Sequence, residues 1–302
     1  YTPRQKFEDK ISNTMLALGL SEIMTYSFLS PKAYDKIGMP EQDCLRNSVT
    51  ISNPLGEDTS IMRTTALPSM LDTLARNYNN RNGAVALFEL ASEYYPVEGQ
   101  ELPDEKTKLI AGLYGDNCDF FTAKGMVEQL LDALFISNYE FEASSNEHAY
   151  HPGRCAHIMI DDTIIGVIGE IHPKVSENYG INERILCFTL DVDSLFAHTQ
   201  TEPTYTPLPK FPAVTRDLAL LCDETIPVRI LEKAIMKGAG NLLETIQLFD
   251  VYQGEQIENG KKSVAFNIVL RSAENTLAEE QVNGTMKKVM KELEKVGAIL
   301  RL

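Results

Sequence analysis

The last third of the chain carries the clearest pattern of apolar and polar positions. RDLALLCD (216–223) reads as a short apolar strand. Pro227 sits where a helix can start, and Val228, Leu231, Ala234 and Ile235 form one apolar stripe that ends near Gly238 and Gly240. A second strand is predicted over 242–254, closed by the turn residues Glu258, Asn259 and Gly260. Residues 261–272 then alternate, with Val264, Phe266, Ile268 and Leu270 inward and Ser263, Ala265, Asn267, Val269 and Arg271 outward. Thr276 with Glu279 predicts a capping box. Behind it, Val282, Met286, Val289, Leu293 and Val296 repeat at helical spacing up to Gly297. A final strand is expected at 298–302. The order strand-helix-strand-strand-helix-strand is that of a split βαβ, ferredoxin-like unit. Its two helices cover one face of the sheet and leave the other open.

Within the second of these strands, LFDVYQG (248–254) places Asp250 and Tyr252 on one side at strand period and Phe249 and Val251 on the other. Phe249 and Phe266 are therefore expected in the core. The pair Asp250 and Tyr252 has two readings. They are solvated cross-strand positions, or a platform that stacks on something flat and hydrogen-bonds to it.

Upstream the pattern is less regular. Phe7, Ile11, Thr14, Met15 and Leu18 mark a helix ended by Gly19, and the strand-like IMTYSFL (23–29) follows. Pro68 opens a second helix carrying Leu71, Leu74, Ala75 and Tyr78; VALFELASEYY (85–95) reads as a strand, and 119–134 contains a helix. HIMIDDTIIGVIGEI (157–171) is a hairpin turning at Asp161 and Asp162. Long strands interleaved with helices indicate an α+β domain. The seam between the two regions is Thr199 to Val214, with Pro203, Pro207, Pro209 and Pro212 among threonines, and the boundary is placed near residue 205.

Composition narrows the class. A chain of 302 residues is long enough for two domains. No apolar run approaches the roughly 20 residues of a bilayer span. The chain opens on Tyr1 rather than Met, and is expected to be part of a longer one. Cys44, Cys118, Cys155, Cys187 and Cys222 are scattered and form no C-x-x-C pair, the usage of reduced thiols in a cytoplasmic protein. His148, His151 and His157 with Cys155 are a local cluster without a second ligand group, so no metal is assigned. The net charge of −15 opposes non-specific nucleic-acid binding. Residues 205–302, however, hold 13 basic and 13 acidic side chains, so the whole excess lies in 1–204 and leaves room for a local, specific RNA contact. In 1–204 no P-loop, G-x-S-x-G or H-E-x-x-H is present.

Five separated stretches carry a resemblance: ISNPLGEDTSIMRTTALPSMLDTLARN (51–77), LFELASEYYP (87–96), HPGRCAHI (151–158), GEIHP (169–173) and FPAVTRDLALL (211–221). Together, and in this order, they resemble the bacterial phenylalanyl-tRNA synthetase β-chain family, over essentially the whole chain and as the C-terminal part of that subunit. The resemblance implies an α+β fold in which 1–204 is a class II synthetase-like, catalytically inactive antiparallel-sheet module. Residues 205–302 would then be a ferredoxin-like βαββαβ anticodon-binding domain.

Active class II cores carry an F-R-x-E strand whose Arg meets the ATP phosphate; the similar strand here reads Phe88-Glu89-Leu90, a carboxylate where the cation should be. No glycine-rich run supplies a second ATP-binding Arg. The whole enzyme is implied to use ATP and Mg2+, neither bound by this chain. Its implied partners are a catalytic α subunit in an α2β2 assembly and phenylalanine tRNA, without DNA or membrane. In the family, the Asp and Tyr of the F-D-V-Y strand and the Ser of the next strand lie at the anticodon. Here they are Asp250, Tyr252 and Ser263. Arg216 and Arg271 are weaker candidates for phosphate contacts. The competing reading is a ferredoxin-like small-molecule regulatory module joined to an α+β interaction domain.

Overall fold

The computed structural model describes residues 1–200, 205, 207–254 and 257–301. The chain divides into two compact units, 1–204 and 205–302.

The first unit contains α1 (Pro3–Ala17), β1 (Ser21–Glu22), β2 (Phe28–Leu29), α2 (Lys32–Lys36), β3 (Ile61–Met62), α3 (Leu67–Asn79), β4 (Val85–Tyr95) and β5 (Asp104–Tyr114). It continues with α4 (Phe120–Ala133), β6 (Tyr139–Ala143), β7 (Tyr150–Ile160), β8 (Thr163–Ile171), α5 (Pro173–Asn178), β9 (Leu186–Asp191) and α6 (Val192–His198). Seven strands form one sheet in the order β1-β4-β5-β9-β8-β7-β6; β1 runs parallel to β4 and every other neighbour pair is antiparallel. Both faces are covered, which is why VALFELA is almost continuously apolar. Phe88 packs with Phe7 and Ile11 of α1 and Val127 and Leu130 of α4, whereas Leu87 and Ala91 pack with Met70, Leu71 and Leu74 of α3.

Local chemistry sets the element ends. Thr2 Oγ1 accepts from the Gln5 amide and Gln5 Oε1 from the Thr2 amide, so the first turn of α1 is closed reciprocally. Asp161 and Asp162 both take positive φ (46° and 63°), the backbone a two-residue hairpin requires to match strand twist. The strand expected over 23–29 is not formed as one piece: within it only Phe28 and Leu29, the two residues of β2, are in a strand. Thr25 explains the break, because its amide and hydroxyl both donate to the Glu89 carboxylate instead of joining a ladder.

The second unit contains β10 (Val214–Asp223), α7 (Val228–Ala239), β11 (Leu243–Tyr252), β12 (Lys261–Leu270), α8 (Glu279–Lys295) and β13 (Ile299–Leu300). The antiparallel sheet has the order β11-β12-β10-β13, the split βαβ topology. Val264, Phe266, Ile268 and Leu270 pack against Leu231 and Ile235 of α7 and Val282, Val289 and Leu293 of α8. Two expectations are corrected. Helix α8 starts at Glu279, not behind Thr276, and its opening bond runs from the Ala278 amide to Gln281 Oε1. Phe249 is 57% exposed rather than core. Helix α7 ends where expected, at Ala239 between Gly238 and Gly240, and Gly240 (φ 56°) terminates it.

Gly238 is there because α7 and α8 touch. A Cβ at that position would stand 2.5 Å from Val289 Cα and 2.8 Å from its amide nitrogen, both backbone atoms. Gly to Ala in a helix interior ordinarily gains about 1 kcal/mol. Here overpacking wins, and Gly238→Ala is expected to cost the second unit about 3 kcal/mol. Urea unfolding followed by far-UV circular dichroism checks this; an unchanged or raised midpoint contradicts the close approach.

Candidate nucleic-acid interface

The face of the second sheet that points away from α7 and α8 is ordered into rows by the strand register. Tyr252 lies opposite Ser263, Ser263 opposite Leu221, and Leu221 opposite Ile299. The next row is Asp250, Ala265 and Ala219. Arg301 completes it, its amide donating to the Ala219 carbonyl at 2.9 Å. A third row holds Gln247, Asn267 and Asp217, with Asn267 Nδ2 donating to Asp217 Oδ1 at 2.7 Å.

Strict alternation would not put Asp250 and Tyr252 on this face. Ile246 and Leu248 pair with Ile268 and Phe266 of the helix-covered side, so counting by twos from Leu248 would send Asp250 and Tyr252 toward the helices. The register shifts between Leu248 and Asp250, and Phe249 is the extra residue of a β-bulge on the edge strand. This one insertion exposes Phe249 and turns Asp250 and Tyr252 onto the open face. It is the physical reason that the expectation for Phe249 fails while that for its two neighbours' shared direction holds.

The other candidates are placed differently. Ser263 and Ala265 have the open-face register but are only 5% and 8% exposed. Arg301 Cζ stands over the Tyr252 ring, 5.8 Å from its centre. Arg216 pairs in register with Ile268, on the helix-covered side, and its guanidinium donates to the Thr215 carbonyl. Arg271 is engaged at 2.8 Å with Glu244 and also with the Phe211 carbonyl. Asp250 is exposed and Tyr252 half-buried. The structure thus gathers Asp250, Tyr252 and Ser263, leaves Arg216 and Arg271 tied to their own neighbours, and adds Arg301, which sequence patterning does not single out.

Two family models divide the chain at this same fold boundary. Residues 1–192 match the model described as "Phenylalanyl tRNA synthetase beta chain CLM domain", and residues 209–301 match the "Ferredoxin-fold anticodon binding domain". The chain belongs to the phenylalanyl-tRNA synthetase beta-chain family. It is 44% identical to the phenylalanine–tRNA ligase beta subunit of Clostridium acetobutylicum over 98% of this chain and 38% of the relative. It is 43% identical to that of Clostridium tetani, over 99% and 38%. It therefore spans less than two-fifths of the length of these curated relatives. Part of the chain also shares the fold of a solved aminoacyl-tRNA synthetase. A pyrrolysyl-tRNA synthetase from Desulfitobacterium hafniense aligns with TM-score 0.54 at 17% identity, over 64% of this chain and 68% of that one.

The sheet of the first unit in this beta-chain family member carries buried charge. Arg63 and Glu89 are both buried and meet at 3.0 Å. Arg63 also donates to the Ser92 carbonyl (2.8 Å) and Thr25 Oγ1 (2.7 Å). On the same face Glu93 accepts from the Ala66 amide at 2.8 Å and the Tyr95 hydroxyl at 2.5 Å. Burial raises the Glu93 carboxyl above its ordinary range, against the pull of these two donors. Burial likewise pushes the Cys155 thiol up to about 12 and raises Cys187 and Cys222, so these thiols stay protonated and unreactive.

The histidines do not converge. His157 contacts Glu147 at 2.8 Å, and His151 Nδ1 accepts from the Gly153 amide. Among the described residues no group of three His, Cys, Asp or Glu side chains is arranged to hold a metal. Nor is any helix among them long and apolar enough to cross a membrane.

Proposed function

We propose that this chain is the scaffolding and tRNA-reading part of a phenylalanine–tRNA ligase, acting in the cytoplasm during ATP-dependent aminoacylation. The second unit binds the anticodon of phenylalanine tRNA, and the first packs against a catalytic α subunit of an α2β2 enzyme. One observation carries the tRNA reading: a β-bulge turns Asp250 and Tyr252 onto the uncovered face of a domain matched as anticodon-binding. Splayed single-stranded bases are recognised by aromatic stacking together with hydrogen bonds to base edges. Tyr252 supplies the stacking face. The exposed Asp250 carboxylate accepts from a base that presents N–H donors on its Watson–Crick edge, as guanine does.

The scaffolding role of the first unit rests on its surface and its buried charge. Met24 and Tyr26 are almost fully exposed on either side of the inward-facing Thr25, and with Phe28 they line an open groove. Large apolar side chains grouped in this way mark a surface that a partner protein covers. At the strand where active cores hold ATP, Glu89 brings negative charge, and Arg63 is already committed to it. These residues do not fit a triphosphate. The chain by itself is accordingly expected to form no phenylalanyl-adenylate. Phenylalanine-dependent pyrophosphate exchange by the purified chain would contradict this.

Titration of the chain with an unmodified anticodon stem-loop of phenylalanine tRNA tests the main reading. Saturable binding with a shallow salt dependence is expected, since the second unit carries no net charge. Absence of binding at every salt concentration overturns it.

A further inference from the structure

We propose that a cavity in the first unit, floored by β5, β9 and β8, is a binding site for a small primary amine whose ammonium pairs with Glu93. The site lies in the unit that carries no part of the open anticodon face, and it stands or falls independently of the tRNA reading.

The sheet and the segments ahead of β4 build the cavity. Lys108, Thr189 and Val167 stand on three neighbouring strands and line a space of about 250 Å³. Ile37, Met39 and Leu67 give it apolar walls. An engineered apolar cavity of about 150 Å³ holds benzene, so this one suits a ligand of about six to eight non-hydrogen atoms. The walls favour a hydrocarbon body, and the polar part of the lining decides what head that body carries.

Glu93 is the deepest charge in that lining, only 3% exposed. Its carboxylate accepts from the Ala66 amide at 2.8 Å and from the Tyr95 hydroxyl at 2.5 Å, both neutral donors. Among the described residues no basic side chain comes within ion-pairing distance of it. The two nearby cations are committed elsewhere, Lys108 to Asp191 at 2.7 Å and Arg63 to Glu89 at 3.0 Å. Two donors leave about half of a carboxylate's four acceptor positions open. A buried charge without a counter-charge is costly, and burial accordingly raises this carboxyl above its ordinary range. An ammonium entering the cavity supplies both the missing charge and N–H donors for the open positions.

The remaining lining selects an amine over an amino acid. Asp43 and Glu147 add two further carboxylates, whereas Lys108 and His148 are the basic side chains of the lining. Asp191 neutralises Lys108. His148 is half exposed and stands 4.0 Å from Asp43, at the solvent side of the cavity. A ligand carboxylate would therefore meet Glu93 and Glu147 with no free buried cation to receive it. A lone ammonium meets opposite charge only.

The test titrates the whole chain with three ligands of one shape, read by isothermal calorimetry. Isoamylamine carries the ammonium on a branched hydrocarbon body. Isoamyl alcohol has the same body with a neutral head, and leucine has it with a carboxylate on the amine-bearing carbon. Isoamylamine is expected to bind one per chain in the submillimolar range, about what six non-hydrogen atoms can supply. The alcohol and leucine should each bind about tenfold more weakly or worse. Glu93→Gln keeps the shape and an acceptor for the Ala66 amide. It should lose about tenfold for the amine and leave the alcohol unchanged. If that variant does not fold, Val167→Phe decides the location, because it fills the cavity from β8 without touching the carboxylate and should abolish amine binding. Four results overturn the proposal. They are no saturable binding of isoamylamine, alcohol binding equal to the amine, leucine binding tighter than the amine, and amine binding at wild-type strength by folded Glu93→Gln or Val167→Phe. Equal alcohol binding would mark a purely apolar cavity, and tighter leucine binding a zwitterion site at Lys108.

Discussion

Tyr252→Ala is expected to weaken binding of the anticodon stem-loop about 10- to 100-fold, with no measurable change in the unfolding of the second unit. The magnitude follows from the loss of one base–aromatic stack, worth about 1–3 kcal/mol. The absence of a stability cost follows from position. Tyr252 is the last residue of the edge strand β11, on the face away from the helices, whereas the core of this unit is made by Phe266, Ile268, Leu231 and their neighbours. Tyr252→Phe separates ring from hydroxyl and should bind within about threefold of wild type, because stacking needs the ring. Equal binding by Tyr252→Ala and wild type would remove the stacking role. A Tyr252→Ala variant that loses binding and stability together would show the ring to be a packing residue of the sheet. Asp250→Asn distinguishes edge reading from charge: an amide donates where a carboxylate accepts, so the loss should be large for a stem-loop with guanine at the contacted base and small for one with inosine, which lacks the exocyclic amine.

The second unit was legible in the sequence because β12, α7 and α8 keep most of their large apolar side chains on one face. Period-two alternation in 261–272 and the stripe from Val282 to Leu293 therefore read directly as strand and helix. In the first unit, the later half of β5 and nearly all of β9 are buried on both sides, so their apolar runs have no period, and patterning does not single them out. The 23–29 segment reads as one strand and is not one beyond Phe28–Leu29, because a buried carboxylate 64 residues away takes the Thr25 donors. No local signal announces that partner.

The candidate site shows the same divide. That Asp250 and Tyr252 point the same way follows from their spacing alone. Which way they point follows from the bulge at Phe249, and nothing in LFDVYQG marks one residue as extra. Arg301 lies outside any periodic segment; only the pairing of β13 with β10 brings it onto the same row as Asp250. The resemblance to the beta-chain family supplied the site residues on β11 and β12, while the register decides which basic side chain accompanies them.

Arg63→Met is expected to be the most destabilising single change in the first unit, at about 3–5 kcal/mol, the cost of leaving a buried charge without its partner. Arg63 and Glu89 are both nearly inaccessible to water. Arg63 also satisfies the Ser92 carbonyl and Thr25 Oγ1, so its removal orphans acceptors on β4 and on the 23–27 segment together. Glu89 retains the Thr25 amide at 3.2 Å and hydroxyl at 2.7 Å, too little to replace a cation in a dry interior.

The double variant Arg63→Met/Glu89→Leu removes both charges and should cost less than Arg63→Met alone, because an apolar pair of similar volume carries no desolvation penalty. Urea unfolding of the first unit in the two single variants and the double variant gives the coupling directly. A loss under about 1 kcal/mol for Arg63→Met would mean that water reaches the pair. A double variant as unstable as the single would place the cost in the orphaned Ser92 and Thr25 groups instead. If the coupling is large, Glu89 is explained by packing: it holds Arg63 and Thr25 in place, fixes the segment that turns Met24 and Tyr26 outward, and in doing so gives up the positive charge a nucleotide site on this strand would need.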